Sequence, residues 1–263
     1  MRVNTIYNEN CLDTMEAMPS EFVDLVVTSP PYDDLRTYNG YEFEFVPIVN
    51  ELFRVVKKGG VVVWVVGDAT INGSETTTTA EQKIGFRSAG FNIHDTMIYE
   101  KVNYAPLTHN RYEQAFEYMF VFSKGSPKAF NPIRVRCENA GKIEKYGLTR
   151  RQNHGLKHAM RLYSETTFKP TAETKIAGNI FSYTVGDEKT GHPAPFPTKL
   201  ASDQIRTWSN ENDLVYDPFM GSGTTAKASH FLKRRWIGSE ISSEYVLLAN
   251  KRLEPFLNQN QLF

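Results

Sequence analysis

Two short stretches carry residue types suited to chemistry. The first is Thr28-Ser29-Pro30-Pro31-Tyr32, directly after the apolar run Phe22-Val23-Asp24-Leu25-Val26-Val27. Proline lacks a backbone donor and fixes φ, so Pro30 and Pro31 cannot extend a sheet ladder. They hold an extended corner whose carbonyls keep fixed directions, beside a hydroxyl and an aromatic ring. Such a corner can accept hydrogen bonds from an amino group and stack a planar ring. The second stretch is Asp217-Pro218-Phe219-Met220-Gly221-Ser222-Gly223-Thr224-Thr225. Its two glycines permit a tight turn and close approach to a ligand. No Gly-Lys-[Ser/Thr] follows, so it is not a phosphate P-loop. The next strand pattern, Trp236-Ile237-Gly238, leads to Glu240, about 20 positions on, where a carboxylate can hydrogen-bond ribose hydroxyls of a nucleotide-type cofactor. A tight turn followed by a surface Glu explains that spacing equally well when it stands alone.

The elements that must position these stretches follow from periodicity. Val23 to Thr28 reads as a buried strand. Phe45, Ile48, Val49, Leu52, Phe53 and Val56 recur at helical spacing, with Gly59-Gly60 as the stop. Val61 to Val66 reads as a second buried strand ending at Gly67-Asp68, with Trp64 in the core. Residues 80–90 read as a helix, and 93–99 and 116–123 as strands whose relative direction stays open. After 175 the pattern predicts a helix over 199–209, a strand over 214–216, a helix over 224–233, a strand over 235–238 and a helix over 242–253. Alternating helices and continuous β-branched runs predict an α/β fold with a mostly parallel sheet.

Composition bounds the classes. The chain has 263 residues, 40% of them hydrophobic, enough for one large domain or one domain plus an insert. No apolar stretch approaches the ~18 residues of a membrane span, and the N-terminus lacks the layout of a signal peptide, so a cytoplasmic location is expected. Cys11 and Cys137 are too few for a disulfide framework or a zinc site, and no metal is expected. The formal net charge is zero, yet from Ser126 to Ile176 eleven Lys/Arg face four Asp/Glu, +7, leaving 19 against 26, or −7, elsewhere. A basic block on an acidic body suits a polyanion-facing insert, and suits a solvated loop region equally when no motif accompanies it.

Taken together and in this order, the two stretches resemble the amino-group DNA methyltransferases that use S-adenosylmethionine, over nearly the whole chain. Catalytic motif first, basic insert next and cofactor loop last resembles the beta class. The resemblance implies a circularly permuted Rossmann-like S-adenosylmethionine-dependent methyltransferase sheet with an inserted target-recognition module. It divides the chain into a catalytic half, 1–124, a basic target-recognition region, 125–175, and a cofactor-binding half, 176–263. His192-Pro193-Ala194-Pro195-Phe196-Pro197 with Lys199-Leu200 resembles the family's cofactor-side segment, and Tyr245, Ala249 and Arg252-Leu253 resemble its last helix. The implied cofactor residues are Asn10, Cys11, Thr28, His192, Pro193, Phe196, Pro197, Lys199, Asp217, Pro218, Phe219, Gly221, Ser222, Gly223, Thr224, Glu240 and Ile241. One departure concerns the N-terminus, where the family's Gly-Asp-Cys is replaced by Glu9-Asn10-Cys11. An Asn amide can pair with an adenine edge, and a polar turn residue is the competing role.

The implied chemistry is methyl transfer to an exocyclic amine. That amine is a poor nucleophile because its lone pair is delocalised into the ring. The Ser29 hydroxyl and the Pro30 carbonyl can accept from the amino hydrogens, with Pro31 stiffening the corner and Tyr32 stacking on an extruded base. Stacking contributes roughly 1–3 kcal/mol per base, comparable to the cost of base flipping. Methylation at cytosine C5 would need a Pro-Cys nucleophile, and neither cysteine follows a proline. Ser in the first position implies cytosine N4 by resemblance, with adenine N6 as the alternative. Arg134, Arg136, Lys142, Lys145, Arg150, Arg151, Lys157 and Arg161 are the DNA-binding candidates, most of them for phosphate. Asp68 is either a ligand-edge carboxylate or a helix cap. The expected partner is double-stranded DNA in a bacterial or phage-encoded restriction-modification or orphan role, with a homodimer and a cognate restriction endonuclease as further candidates. A different-class reading is a catalytically silent S-adenosylmethionine- or DNA-binding module. A Rossmann dehydrogenase is disfavoured: Gly-x-Gly-x-x-Gly is absent, and although Ala226 is tolerated at the last position, the Asp217-Pro218-Phe219 lead-in resembles the methyltransferases.

Overall fold

The computed structural model describes residues 1–31, 43–104, 110–146, 167–185 and 197–257. The chain forms two compact units, Met1–Asn131 with Asn179–Phe263, and Pro132–Gly178.

The larger unit begins with β1 (Thr5–Tyr7), α1 (Cys11–Glu16), β2 (Val23–Thr28), α2 (Phe45–Val55) and β3 (Val56–Val66). A short hairpin follows, β4 (Thr70–Ile71) with β5 (Ser74–Glu75), then α3 (Thr78–Ser88) and the antiparallel pair β6 (Asn92–Lys101) and β7 (Phe116–Ser123). The smaller unit holds β8 (Arg134–Arg136), β9 (Ile143–Tyr146), β10 (Thr167–Pro170) and β11 (Thr174–Ile176), paired antiparallel as β8 with β11 and β9 with β10. The larger unit resumes with β12 (Ile180–Tyr183), α4 (Thr198–Trp208), β13 (Leu214–Asp217), α5 (Thr224–Phe231), β14 (Arg235–Ser239) and α6 (Ser243–Leu257).

Eight strands form one sheet in the order β1-β14-β13-β2-β3-β7-β6-β12. Every neighbouring pair is parallel except those made by β7. The first strand of the chain lies beside its last, as a circularly permuted order requires. From β13 the chain steps through α5 to β14, and from β2 it steps through α2 to β3 on the other side. The strand order therefore reverses between β13 and β2. Ligands of open α/β sheets bind outside the carboxyl ends of the strands at such a reversal.

The continuous apolar runs are explained by burial on both faces. In β3, Val62, Trp64 and Val66 join Leu52 of α2 and Phe86 of α3 in one core. Val61, Val63 and Val65 point the other way and join Leu200 and Ile205 of α4 and Ala228 of α5. Full burial of one such aliphatic side chain contributes roughly 1.5–3 kcal/mol. The Trp64 indole N–H is satisfied by Gln82 Oε1 at 2.7 Å.

One expectation is corrected. Gly59-Gly60 do not stop α2 ahead of the strand; they lie inside β3, which starts at Val56. The register between β2 and β3 jumps from Val23↔Val56 to Leu25↔Val61, so the extra residues bulge. A Cβ on Gly60 would lie 2.9 Å from the Asp24 carbonyl oxygen. The glycines serve close backbone approach there. Among the described residues no helix is long and apolar enough to cross a membrane.

Candidate active site

The Ser-Pro-Pro corner leaves the carboxyl end of β2, and the glycine turn leaves the carboxyl end of β13. These strands are neighbours, registered by Val215↔Leu25 and Tyr216↔Val26. Beyond that point side chains take over. Thr28 Oγ1 donates to Asp217 Oδ1 at 2.6 Å, and Thr225 Oγ1 donates to the Val27 carbonyl at 3.3 Å. Ser29 and Pro31 are half-buried and Pro30 is buried.

The turn itself is built from left-handed backbone. Gly221 has φ 51 and Gly223 φ 84, a region costly for any residue with a Cβ. A Cβ on Gly223 would sit 3.1 Å from that of Ala249 on α6, so the second glycine also lets α6 approach. The Asp217 carboxylate folds back on the turn, with Oδ1 accepting from Phe219 N at 3.0 Å. Glu240, at the end of β14, accepts from Gly221 N at 2.8 Å through Oε2 and from Ser242 N at 2.9 Å through Oε1. From α6, Arg252 Nη1 donates to the Ser222 carbonyl at 3.0 Å and to Thr224 Oγ1 at 3.1 Å, with a longer contact of 3.4 Å to Ser222 Oγ. Asp217, Ser222, Thr224 and Glu240 are all buried, and Phe219 packs edge-on against Phe43 and Trp64.

Two carboxylates buried side by side shape the local electrostatics. Burial is the main reason that the Asp217 carboxyl is pushed up to about 6, against the neighbouring Thr225 and Thr28 hydroxyls and the Phe219 amide, which favour the anion; nearby Glu240 pushes it further up. Glu240 is also raised, again chiefly by burial, despite the N–H groups of Ser242 and Gly221. A positively charged ligand at this edge would favour both anions. The turn thus fits a sulfonium donor: its backbone carries no bulk at Gly221 and Gly223, and negative charge is stored beneath it.

The N-terminal strand contributes the other wall. Asn10 caps α1, its Oδ1 accepting from Leu12 N at 2.9 Å, so the polar-turn role is present in the structure. Its amide has no partner among the described residues. Asn8, which sequence reasoning passed over, donates to the carbonyls of Glu240 and Ile241 at 2.8 and 3.1 Å. It therefore ties the first strand's end to the last one's. Cys11 lies in the core, and burial pushes its thiol up to about 12, which makes it an inert filler. Pro197 caps α4, and Lys199 pairs with Asp203 at 2.6 Å. Asp68 caps α3, accepting from Thr79 N at 2.9 Å, so the cap reading holds.

In the smaller unit Arg134, Arg136 and Lys142 are exposed. Arg134 is held to Thr174, Nε donating to its hydroxyl at 2.9 Å. Lys145 lies on β9. Tyr32, His192, Pro193, Phe196, Arg150, Arg151, Lys157 and Arg161 lie outside the described residues.

The chain is similar to known proteins in sequence and in fold. The N6_N4_Mtase family, described as DNA methylase, matches residues 23–251. The orphan methyltransferase M.BamHII of Bacillus amyloliquefaciens is 49% identical over 244 residues, 89% of this chain and 90% of that protein. Among solved structures, PvuII DNA methyltransferase (cytosine-N4-specific) aligns with TM-score 0.67 at 22% identity, covering 94% of this chain and 85% of that one. The Thermus thermophilus modification methylase TTHA0409, complexed with S-adenosyl-L-methionine, aligns with TM-score 0.63 at 24% identity over 95% and 94% of the two chains. The family match starts on the strand that carries the Ser-Pro-Pro corner and ends on the helix that braces the glycine turn. Both halves of the candidate site fall within it, and the chain belongs to the S-adenosylmethionine-dependent DNA methylase family.

Proposed function

We propose that the protein methylates the exocyclic N4 amine of a cytosine extruded from duplex DNA. The observation that carries this reading is the placement of Ser29 and Pro30 beside the glycine turn at the reversal of strand order. Bound S-adenosylmethionine supplies an electrophilic methyl group on a sulfonium, so the donor itself needs no activation. The chain's own work is on the acceptor. The Ser29 hydroxyl and the Pro30 carbonyl accept from the amino hydrogens and draw the nitrogen lone pair out of conjugation. They stabilise positive charge as it develops on that nitrogen, which is positioning combined with electrostatic stabilisation. Tyr32 stacks on the base. Gly221 to Thr224, Glu240 and Asn10 hold the donor, with His192, Pro193, Phe196, Pro197, Lys199 and Ile241 as further contacts.

The cytosine assignment rests on Ser29 at the first motif position and on the likeness to a cytosine-N4-specific fold neighbour. The family embraces N6 and N4 enzymes, so adenine N6 is the competing outcome. The Pro132–Gly178 unit, with Arg134, Arg136, Lys142 and Lys145, supplies the target-recognition surface, extended by Arg150, Arg151, Lys157 and Arg161. Its first job is phosphate neutralisation, which positions without reading sequence. A modification role without an obligatory endonuclease follows the orphan relative.

The test is to express the protein, digest the host DNA to nucleosides and separate them by mass spectrometry. N4-methylcytosine supports the assignment. N6-methyladenine transfers the same geometry to the other base, and no methylated nucleoside would favour the silent binding module.

A further inference from the structure

The reversal of strand order creates a mechanical problem. The corner and the turn sit on adjacent strands, but the β13–β2 ladder registers only Val215↔Leu25 and Tyr216↔Val26. Past that pair β2 still runs against β3 through Thr28↔Trp64 and β13 against β14 through Asp217↔Gly238, but the two strands no longer pair with each other before Ser29-Pro30 and Pro218-Phe219 begin. The fine spacing of acceptor and donor halves across that gap then depends on what joins the two strands past the ladder's end.

Two side-chain links do so. Thr28 Oγ1 reaches Asp217 Oδ1 at 2.6 Å, between residues 189 positions apart in the chain. Thr225 Oγ1, from the first turn of α5, reaches the Val27 carbonyl at 3.3 Å. Thr28 is 0% and Asp217 1% exposed. The oxygen that takes the threonine hydroxyl also takes the Phe219 amide of the turn at 3.0 Å. One carboxylate oxygen therefore receives one bond from the acceptor side and one from the donor side.

We propose that Thr28 and Asp217 are a positioning pair that sets the spacing between the methyl-accepting corner and the methyl-donor turn. They act through their neighbours, Ser29-Pro30 on one side and Phe219 to Gly223 on the other, and need not touch either substrate. The role rests on the methyltransferase reading above and adds to it. A bond between buried groups is short-ranged and directional, so its loss lets the two halves drift. Displacements near 1 Å in such a site can cost about 100-fold in rate. Burial holds the Asp217 carboxyl high, and the threonine hydroxyl is among the few groups favouring its anion.

The test uses the full chain, a DNA duplex shown to be methylated by the wild type, and radiolabelled donor. Thr28→Val keeps the shape and removes the donor hydrogen. It is expected to lower the single-turnover rate at saturating donor and DNA at least tenfold, with the donor Kd changed less than about threefold. Thr28→Ser restores the hydroxyl and is expected to return to within about threefold of wild type. Asp217→Asn keeps an accepting oxygen and guards against misfolding of the valine variant. It should slow transfer less than Thr28→Val, and the double variant should be no slower than Thr28→Val alone. Wild-type rate in Thr28→Val would overturn the proposal. So would a loss that appears wholly in donor Kd, which marks direct cofactor contact, or losses that multiply in the double variant. If no duplex accepts methyl from the wild type, the methyltransferase reading fails instead, before the pair is addressed.

Discussion

The two halves of the site are held in different ways. On the donor side nearly every polar group of the turn is engaged by the chain itself. Asp217 takes the Phe219 amide, Glu240 the Gly221 amide, and Arg252 the Ser222 carbonyl and Thr224 hydroxyl. On the acceptor side Pro30 and Pro31 impose the path through their rings, and the Ser29 hydroxyl has no partner among the described residues. On the proposed reaction, the difference follows from the chemistry each half must do. A donor that arrives activated needs only a fixed seat, whereas an unreactive amine needs an acceptor whose lone pairs are still available. A hydroxyl whose lone pairs were already taken by protein donors could not accept from the amine.

The sharpest way to break the comparison is Ser29→Ala. If the open hydroxyl is the working acceptor, turnover falls about 100- to 1,000-fold, roughly 3–4 kcal/mol, while calorimetric donor affinity and melting temperature stay near wild type. A donor affinity that falls in step with turnover would place Ser29 on the donor side and erase the distinction.

The next effect is electrostatic and belongs to the donor side. The Asp217 carboxyl lies above its ordinary 3.8, at about 6. An acid raised on folding binds more protons folded than unfolded. Its contribution to stability is full below about pH 4 and is lost as pH rises towards 6, after which it is flat. Asp217→Asn does not titrate. The stability of wild type relative to this variant should therefore fall between pH 4 and 6.5, by at most about 3 kcal/mol, in denaturant melts without donor. A flat difference across that window would mean the carboxylate is better solvated than its burial implies. Saturating donor, carrying a positive charge, should shrink the difference.

Much of the fold was legible because it rests on local pattern. The runs in β2 and β3 had to be two-sided strands, and the residues from Phe45 to Val55 had to be a helix. The turn was legible because Gly221 and Gly223 occupy left-handed conformations that cost other residues energy. The N-terminal β1 was not legible: three residues, Thr5–Tyr7, have no period, and they are a strand only because β14 lies beside them. Gly59-Gly60 misled because glycine ends helices and also makes bulges, and the choice depends on Asp24 across the sheet. Spacing placed Glu240 near the turn and suggested a ribose contact. It could not show that both carboxylate oxygens already brace backbone amides. The Thr28–Asp217 bond spans the chain and leaves no trace in either local stretch.

Gly223→Ala tests how rigid the donor side is. The residue sits at φ 84 with Ala249 3.1 Å from the new methyl. Left-handed backbone alone costs roughly 1–2 kcal/mol, and the contact with α6 adds to it, so about 2 kcal/mol of stability should be lost, visible as a lower melting temperature. Donor affinity should fall as well, because the turn must shift to make room. Retained donor affinity at reduced stability would show that the seat does not depend on this backbone.

Arg252 carries the smallest effect and separates bracing from charge. Its guanidinium meets the Ser222 carbonyl and the Thr224 hydroxyl from α6, while Glu240 holds the same turn from the opposite side through Gly221. Removing one of three braces leaves the turn formed but looser. Arg252→Met keeps the apolar stem and should weaken donor binding by about 1 kcal/mol, near fivefold to tenfold, since a hydrogen bond to a charged group is worth roughly 1.5–3 kcal/mol and water can replace part of it at a half-buried position. Turnover at saturating donor should change little, because Ser29 and Pro30 are untouched. Arg252→Lys supplies the charge without the planar fork. If bracing matters, lysine recovers only part of the lost affinity; if long-range charge matters, it recovers all of it. A positive charge cannot by itself favour a sulfonium, so full recovery with lysine would mean that Arg252 acts by keeping the carboxylates under the turn ionised against their burial. The donor side would then be tuned by charge as well as held by hydrogen bonds.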